Sequence, residues 1–331
     1  MAAYTTIDNP ELYFQVKTWT GTGSSNALTL DGDEDMQPDY VMIKQRSGTQ
    51  QWNGYDDLRG VQKYLGWNTN IVENTQAQGL TAFGSDGFTV GTDDMVNKSS
   101  STYVAFCWKE SATAGFDMIT YSGTGSAKNE SHSLSATPHW IVTKCRSDAQ
   151  SWATHHRSYS ATEKVLYLDN TNALASTDPD WLTAVSSSTI SLGGSGSDAN
   201  VSGRTYVAYL WSEKQGFSKF GSYTGNGNND GTFVYTGFRP AWGMFKRTDN
   251  TADWYIYDNK RNTFNVLDDR LEANENGAET ADGGDGNTVD FLSNGFKLRG
   301  SGGSMNDGTF IYMAFAEAPF VNSNGVPANA R

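Results

Sequence analysis

Acidic and basic residues recur at fixed distances after a tryptophan in this sequence. Asp56 and Arg59 stand four and seven residues after one tryptophan, and Asp258 and Arg261 stand at the same distances after another. An acid and an arginine at this spacing can form a catalytic pair or a structural ion pair that holds a loop. A catalytic pair is not expected twice in one chain, so the pattern favours structural ion pairs.

A second acidic pattern suggests a cation. Asp31, Asp33 and Asp35 alternate with other residues, and carboxylates at positions one, three and five suit the oxygen coordination of Ca²⁺. The EF-hand pattern then fails, because its sixth position is Met36 rather than glycine and its twelfth is Met42 rather than glutamate. The sequence favours a solvated acidic turn and no cofactor, with Ca²⁺ at these aspartates as the alternative.

Other catalytic patterns are missing from the sequence. His155 and His156 are adjacent, and adjacent side chains of a strand point to opposite faces, so they do not form a two-ligand metal site. The chain has no Gly-x-Ser-x-Gly, phosphate-loop, Cys-x-x-Cys or His-Glu-x-x-His motif. No pair of acids recurs in an apolar context of the kind that glycoside hydrolysis uses. We therefore predict no catalytic residues and no enzymatic activity.

Aromatic residues offer a different chemistry, the stacking of a sugar ring on an aromatic face. The sequence has 10 Trp, 16 Tyr and 16 Phe. Aromatic residues that recur at equivalent places of a repeat are expected in the core, whereas those present once are free to bind a ligand. On this basis Trp67, Tyr167 and Trp181 are the predicted ligand-binding residues.

Internal repeats organise the whole sequence. A Gly-rich turn begins at Thr20, Ser122 and Thr224, and each is 102 residues from the next. An apolar strand then follows a proline and ends in a lysine, and a tryptophan stands eight residues after each lysine. These landmarks are Lys44, Lys144 and Lys246 with Trp52, Trp152 and Trp254. Four features in one order at near-constant spacing indicate three tandem repeats of about 100 residues.

The repeats have a β-strand pattern. Short apolar runs, alternating segments and Gly-containing turns predict an all-β protein of three tandem antiparallel β-sandwich repeats, of jelly-roll or lectin-like type. We place the repeats at residues 1–112, 113–215 and 216–331. A closing strand starts at Tyr103, Tyr206 and Tyr312, and in the third repeat Glu317 takes the place of the closing tryptophan.

Composition excludes several partners. The formal net charge of −13 argues against nucleic acid and anionic membrane surfaces, which attract basic patches. No apolar run is long enough for a transmembrane helix, and residues 1–10 do not have the features of a signal peptide. Cys107 and Cys145 fall at different repeat positions, so both are expected to be free thiols.

Three segments, Ala3–Lys17, Tyr223–Arg247 and Ala314–Arg331, carry a resemblance to known proteins. Ala3–Lys17 resembles the start, and Ala314–Arg331 the end, of structural proteins of tailed phages, especially marine phages. The run Tyr223–Arg247, with Tyr-Thr-Gly-Asn-Gly before a Gly-Phe-x-Pro and an apolar strand, also resembles their repeats. The resemblance covers essentially the whole chain and implies a little-characterised β repeat without catalytic residues.

This resemblance implies a non-enzymatic virion protein, either a tail-fibre or tail-tip component or a head decoration protein. It implies other virion proteins as partners, assembly in the host cytoplasm, and a homo-oligomer, with a trimer favoured. The alternatives are a carbohydrate-binding module for a host-receptor glycan and, less favoured, a glycan depolymerase. The first two roles are compatible with each other.

Overall fold

The computed structural model describes residues 4–174, 181–194, 199–281 and 286–328. These residues form an all-β protein, as the sequence predicts, with a 3-10 helix at Pro10–Leu12 and a short α-helix, α1, at Asp94–Asn97. Every strand pairing within the described residues is antiparallel. None of the helices in this part of the chain is long and apolar enough to cross a membrane.

The strands are described by thirds of the chain, residues 1–112, 113–215 and 216–331. Those of the first third are β1 (Phe14–Thr20), β2 (Asn26–Leu28), β3 (Tyr40–Gln45), β4 (Asn53–Asp56), β5 (Lys63–Tyr64), β6 (Asn74–Thr75), β7 (Leu80–Gly84), β8 (Gly87–Val90) and β9 (Thr102–Trp108). Those of the second third are β10 (Phe116–Ser122), β11 (Lys128–Ser131), β12 (Trp140–Cys145), β13 (Ala153–His156), β14 (Leu166–Tyr167), β15 (Leu182–Val185), β16 (Thr189–Leu192) and β17 (Thr205–Trp211). Those of the final third are β18 (Ser218–Thr224), β19 (Phe233–Tyr235), β20 (Phe238–Arg247), β21 (Trp254–Asp258), β22 (Leu271–Glu272), β23 (Val289–Leu292), β24 (Gly295–Leu298) and β25 (Thr309–Pro319).

A similar strand order recurs in each third, with four strands in the first large sheet and five in each of the other two. The large sheets have the orders β1-β9-β3-β4, β10-β17-β12-β13-β14 and β18-β25-β20-β21-β22. The small sheets have the orders β2-β8-β7, β11-β16-β15 and β19-β24-β23. In every large sheet the last long strand of the third lies between its first strand and the lysine-bearing strand.

The register of these sheets corrects the sequence alignment of the final strand. Trp19 pairs with Tyr103 and Tyr121 with Tyr206, but the equivalent partner of Tyr223 is Phe310, two residues before Tyr312. Phe315 therefore takes the place of the closing tryptophan, and the assignment of Glu317 to that place is wrong. Side chains alternate with a period of two along a strand, so a shift of two residues preserves the pattern and hides the error.

Two kinds of hydrophobic core hold the chain together. Each third has its own cluster, which draws on its large and its small sheet. A further cluster draws on the large sheets of all three thirds, and aromatic residues dominate it. The ring centroid of Trp108 lies 6.1 Å from that of Trp211 and 6.0 Å from that of Trp242. One residue of each third thus meets in a shared core, so the thirds do not bury their apolar surface independently.

Candidate functional site

The three recurring tryptophans bind a neighbouring third rather than their own. Trp152 donates its indole N–H to the backbone oxygens of Gly66 (2.8 Å) and Thr69 (3.1 Å) in the first third. Trp254 donates to Tyr167 O in the second third at 3.1 Å. The equivalent bonds therefore run from the second third to the first and from the final third to the second.

Trp52 completes this pattern. Its indole N–H donates to the backbone oxygen of Glu272, in the final third, at 2.9 Å. The first third thus bonds to the final one, and the three contacts close a ring. All three tryptophans are buried, so each of these hydrogen bonds satisfies a donor that has no access to water.

The recurring lysines also lie at these junctions. Lys144 donates to Asn70 O in the first third and Lys246 to Thr171 O in the second, each at 3.2 Å. Lys44 donates to the backbone oxygens of Gln45 and Gly48. Burial lowers the pKa of all three lysines to about 8. Backbone carbonyls accept hydrogen bonds from the three ammonium groups, so these lysines have a structural role.

The predicted Asp–Arg pairs are structural ion pairs inside the junctions. Arg59 donates Nε to Asp56 at 2.5 Å, and both side chains are fully buried. Arg59 also reaches Glu73 at 3.3 Å, and Arg146 of the second third holds Glu73 through Nε at 2.8 Å and Nη2 at 3.1 Å. Tyr209, also of the second third, donates its hydroxyl to Asp56 at 2.6 Å. The pair therefore anchors the junction between the first and second thirds.

The junction between the final and first thirds repeats this network. Arg261 pairs with Asp258 and reaches Glu279 at 2.9 Å, and Arg46 of the first third holds Glu279 at 2.9 and 2.7 Å. Burial on its own would raise the pKa of Glu279, but the hydrogen bond from Arg46 and the charge of Arg261 lower it overall. The carboxylate is thus held in its charged form between two arginines of different thirds.

Among the residues that the structure describes, the junction between the second and final thirds has the same backbone contact but not this ion network. Leu174 N donates to Thr248 O at 2.9 Å, just as Glu73 N donates to Arg146 O and Glu279 N to Arg46 O. The aspartate and arginine positions hold His156 and Tyr159 here. Both are buried, and His156 Nε2 lies 3.2 Å from Tyr312 O in the final third. Burial lowers the pKa of His156 to about 3, so it binds as a neutral ring.

A recurring asparagine was not identified from the sequence. Asn97, Asn200 and Asn306 are fully buried, and each accepts a backbone N–H from the Gly-rich turn through its side-chain oxygen. Each side-chain nitrogen donates to two backbone oxygens, such as Ser126 O (2.8 Å) and Gly193 O (2.6 Å) for Asn200. The signal that could have found them is their position, a few residues before the start of each closing strand.

Two of the three predicted ligand-binding aromatics are core residues, which corrects the sequence analysis. Trp67 is 1% exposed and donates its N–H to the Tyr40 hydroxyl at 2.8 Å. Trp181 is fully buried in the core of the second third. Tyr167 is half-buried against that core, and its backbone oxygen accepts the bond from Trp254. Because both are buried, neither tryptophan presents a face to a sugar. The prediction failed because residues that occur once can fill a core as well as recurring ones.

The predicted calcium ligands do not converge. Asp31, Asp33 and Asp35 are exposed, and Asp31 forms an ion pair with Lys17 at 2.5 Å. Among the residues that the structure describes, no group of three or more His, Cys, Asp or Glu side chains could hold a metal ion. Asp31 is therefore held by Lys17, and Asp33 and Asp35 are exposed at the surface.

A candidate for ligand binding is a pocket of about 320 Å³ where the second and final thirds meet the N-terminal segment. We call it the tyrosine pocket. Its lining residues are Tyr4, Glu213, Gln215, Gly216, Ser218, Lys219, Tyr235, Thr236 and Gly237. They combine two aromatic rings, a carboxylate, an ammonium group and exposed backbone. Such a mixture suits a small polar ligand with one apolar face.

Tyr4 and Tyr235 form the aromatic side of the tyrosine pocket. Their hydroxyls lie 3.1 Å apart, and Tyr4 also donates to Gly237 O at 2.8 Å. Burial, together with the hydrogen bond to Tyr235, raises the pKa of Tyr4. Gly237 has a φ of +85°, and a Cβ there would lie 2.7 Å from the Tyr4 hydroxyl. This position therefore needs glycine both for its backbone conformation and for the close approach of Tyr4.

Charged residues form another part of the lining of the tyrosine pocket. Glu213 accepts from Lys219 at 2.7 Å and from Arg157 at 2.8 Å. Its backbone N–H donates to Nδ1 of His139 at 2.7 Å, which holds the glutamate in place. The carboxylate and the ammonium group neutralise each other, so the pocket offers hydrogen bonds without a large net charge.

No curated protein matches this chain. A family model, described as a domain of unknown function (DUF7483), matches residues 9–319. This match takes in the large and small sheets of all three thirds and every junction described above, and the chain belongs to the DUF7483 family.

Proposed function

We propose that this chain is a non-enzymatic structural protein exposed on a bacteriophage particle, as a tail-fibre or tail-tip component or a head decoration protein. One observation carries the structural role: the residues that recur through the chain are used to join its thirds into a ring. Trp152 bonds the second third to the first, and Trp52 bonds the first to the final one. The virion setting is supported by the resemblance of Ala3–Lys17, Tyr223–Arg247 and Ala314–Arg331 to virion proteins.

We further propose that the body consists of three tandem β-sandwich repeats of jelly-roll or lectin-like type. The recurring sheet orders and the separate apolar cluster of each third support this. An experimental structure tests it through superposition of the three thirds on Lys44, Lys144, Lys246 and their strands. Thirds that do not superpose would contradict it.

Labelled antibodies against the purified chain test the virion role. We expect them to decorate intact particles at one defined location in electron micrographs, with other virion proteins as its neighbours. Antibody that binds the protein in lysed host cells but never binds particles would refute this role. Light scattering tests the favoured trimer, which requires three times the chain mass of 36.1 kDa.

Recognition of a host glycan is the second candidate function, and the tyrosine pocket favours it. Its two tyrosines and neutralised charges match the aromatic and hydrogen-bonding needs of a sugar. Cleavage of that glycan is less favoured, because the pocket has one carboxylate, Glu213, where hydrolysis uses two. An assay for new reducing ends on host polysaccharide distinguishes binding from cleavage, and we expect none to form.

A further inference from the structure

We propose that the tyrosine pocket binds a neutral saccharide, with Tyr235 as the stacking platform and Glu213, Lys219 and nearby backbone groups as its hydrogen-bonding partners. This inference rests on the glycan-recognition role and assigns it to a site.

Strand β19 presents aromatic rings where its counterparts do not. Phe233 and Tyr235 lie on its outer face at 44% and 51% exposure, whereas Val234 between them points into the core. The equivalent strands β2 (Asn-Ala-Leu) and β11 (Lys-Asn-Glu-Ser) have no aromatic residue. The fold therefore does not require aromatic residues at these positions, and their exposure goes against burial of apolar surface.

The surroundings of Tyr235 fix its ring. Its hydroxyl is bonded to that of Tyr4, and its ring meets Phe320 edge to face with centroids 6.4 Å apart. Tyr4 is itself fixed by Gly237 O, and the next residue, Thr5, donates to Gln215 O at 2.8 Å. A ring held in this way loses little conformational entropy on binding, which favours its use as a platform.

The charged residues Glu213 and Lys219 favour a neutral sugar over an acidic one. Glu213 already has two cationic partners, Lys219 and Arg157, so an acidic sugar would have to compete with it for them. A neutral sugar only needs hydroxyl groups that accept from Lys219 and donate to Glu213. The volume of about 320 Å³ is at the lower end for ligand pockets, typically about 300–1,000 Å³, which fits one or two sugar rings.

Saturation-transfer NMR on the full chain tests the assignment. The probes are the methyl glycosides of glucose, galactose, mannose and N-acetylglucosamine, with methyl glucuronide as the acidic comparison. We expect transfer to at least one neutral glycoside, with a Kd of the order of 1 mM for a single ring, and a weaker signal from the glucuronide. Loss of stacking in Tyr235→Ala should weaken binding about tenfold.

Two further variants make the test specific. Tyr235→Phe keeps the ring and should retain most of the binding. Phe264→Ala removes another exposed aromatic residue of the final third, 79% exposed and outside the pocket, and should change nothing. Each variant is first compared with the wild type by circular dichroism and thermal unfolding, so that misfolded protein is not scored.

The two proposals fail in different ways. Binding of a neutral glycoside that Tyr235→Ala leaves unchanged would overturn the pocket and leave glycan recognition in place. A preference for the glucuronide would overturn the neutral-sugar assignment. No transfer from the wild type to any glycoside would overturn both the pocket assignment and glycan recognition. The structural role is tested separately, by antibody labelling of intact particles.

Discussion

The ion network at the junction of the first and second thirds predicts a distinctive pattern of stabilities. Arg59→Met removes a buried guanidinium that donates to Asp56 and to Gly54 O. The Asp56 carboxylate then keeps only uncharged donors, the Tyr209 hydroxyl and the backbone N–H of residue 59. A buried charge that loses its partner typically costs about 3–5 kcal/mol of unfolding free energy.

The double variant Asp56→Asn with Arg59→Met should cost much less than the two single variants added together. Once both charges are gone, no uncompensated charge remains buried. We expect a coupling energy of about 2 kcal/mol or more. The junction between the second and final thirds supports this expectation, because it has His156 and Tyr159 at these positions and keeps the same backbone bond.

Urea unfolding followed by tryptophan fluorescence measures these differences. Lys98→Met is the matched control, because Lys98 and Asp94 form an exposed pair at 3.7 Å and such pairs contribute about 0–1 kcal/mol. Single variants at Asp56 and Arg59 that cost no more than this control would refute the argument. Strict additivity of the two would refute it as well.

Three further predictions concern other parts of the body. Asn200→Ala should lower the unfolding free energy by about 2–4 kcal/mol, because several buried backbone groups lose their hydrogen-bond partner. In the same urea titration, substitution of an exposed asparagine, Asn172→Ala, should change it by less than about 0.5 kcal/mol. Burial lowers the pKa of His155 to about 4 and of His156 to about 3 from 6.5, so both stabilise the fold fully above pH 6.5 and this contribution is lost as the pH falls towards those values. Between pH 7.5 and pH 5, each histidine should therefore lower the unfolding free energy by about 2 kcal/mol, and His155→Phe should remove its share of this loss. A loss of the same size in the variant would contradict the role of His155. A circular permutant opened between the first and second thirds, with the original ends joined by a flexible linker, should fold with a native spectrum, because Ser323 N donates to Asp8 at 2.6 Å and these two residues therefore lie close together; an unfolded permutant would contradict this.

The recurring landmarks could be found in the sequence because each one makes contacts that few other residue types could make. The Gly-rich turn, the lysine and the tryptophan each have backbone partners, and those partners impose one residue type at one place. Their role across the junctions was not predictable. The acceptors of Trp152 and Trp254 are backbone oxygens of the preceding third, and a carbonyl leaves no mark on the sequence.

The candidate site was harder to predict than the fold. Tyr4 and Tyr235 are 231 residues apart and meet only because the N-terminal segment lies against the final third. Trp67 and Trp181 occur once and looked suited to a ligand, yet they fill cores. Recurrence identifies residues that every third needs, but it does not show which of the other residues are exposed. Their exposure depends on how neighbouring sheets pack.

The shared aromatic core predicts that the three thirds unfold as one body. Trp108 of the first third packs against Trp211 of the second and Trp242 of the final third, so no third can unfold without exposing apolar surface of the others. Differential scanning calorimetry of the full chain tests this prediction. We predict a single transition with equal calorimetric and van't Hoff enthalpies. Two or three separable transitions, or a calorimetric enthalpy that is a multiple of the van't Hoff value, would contradict it.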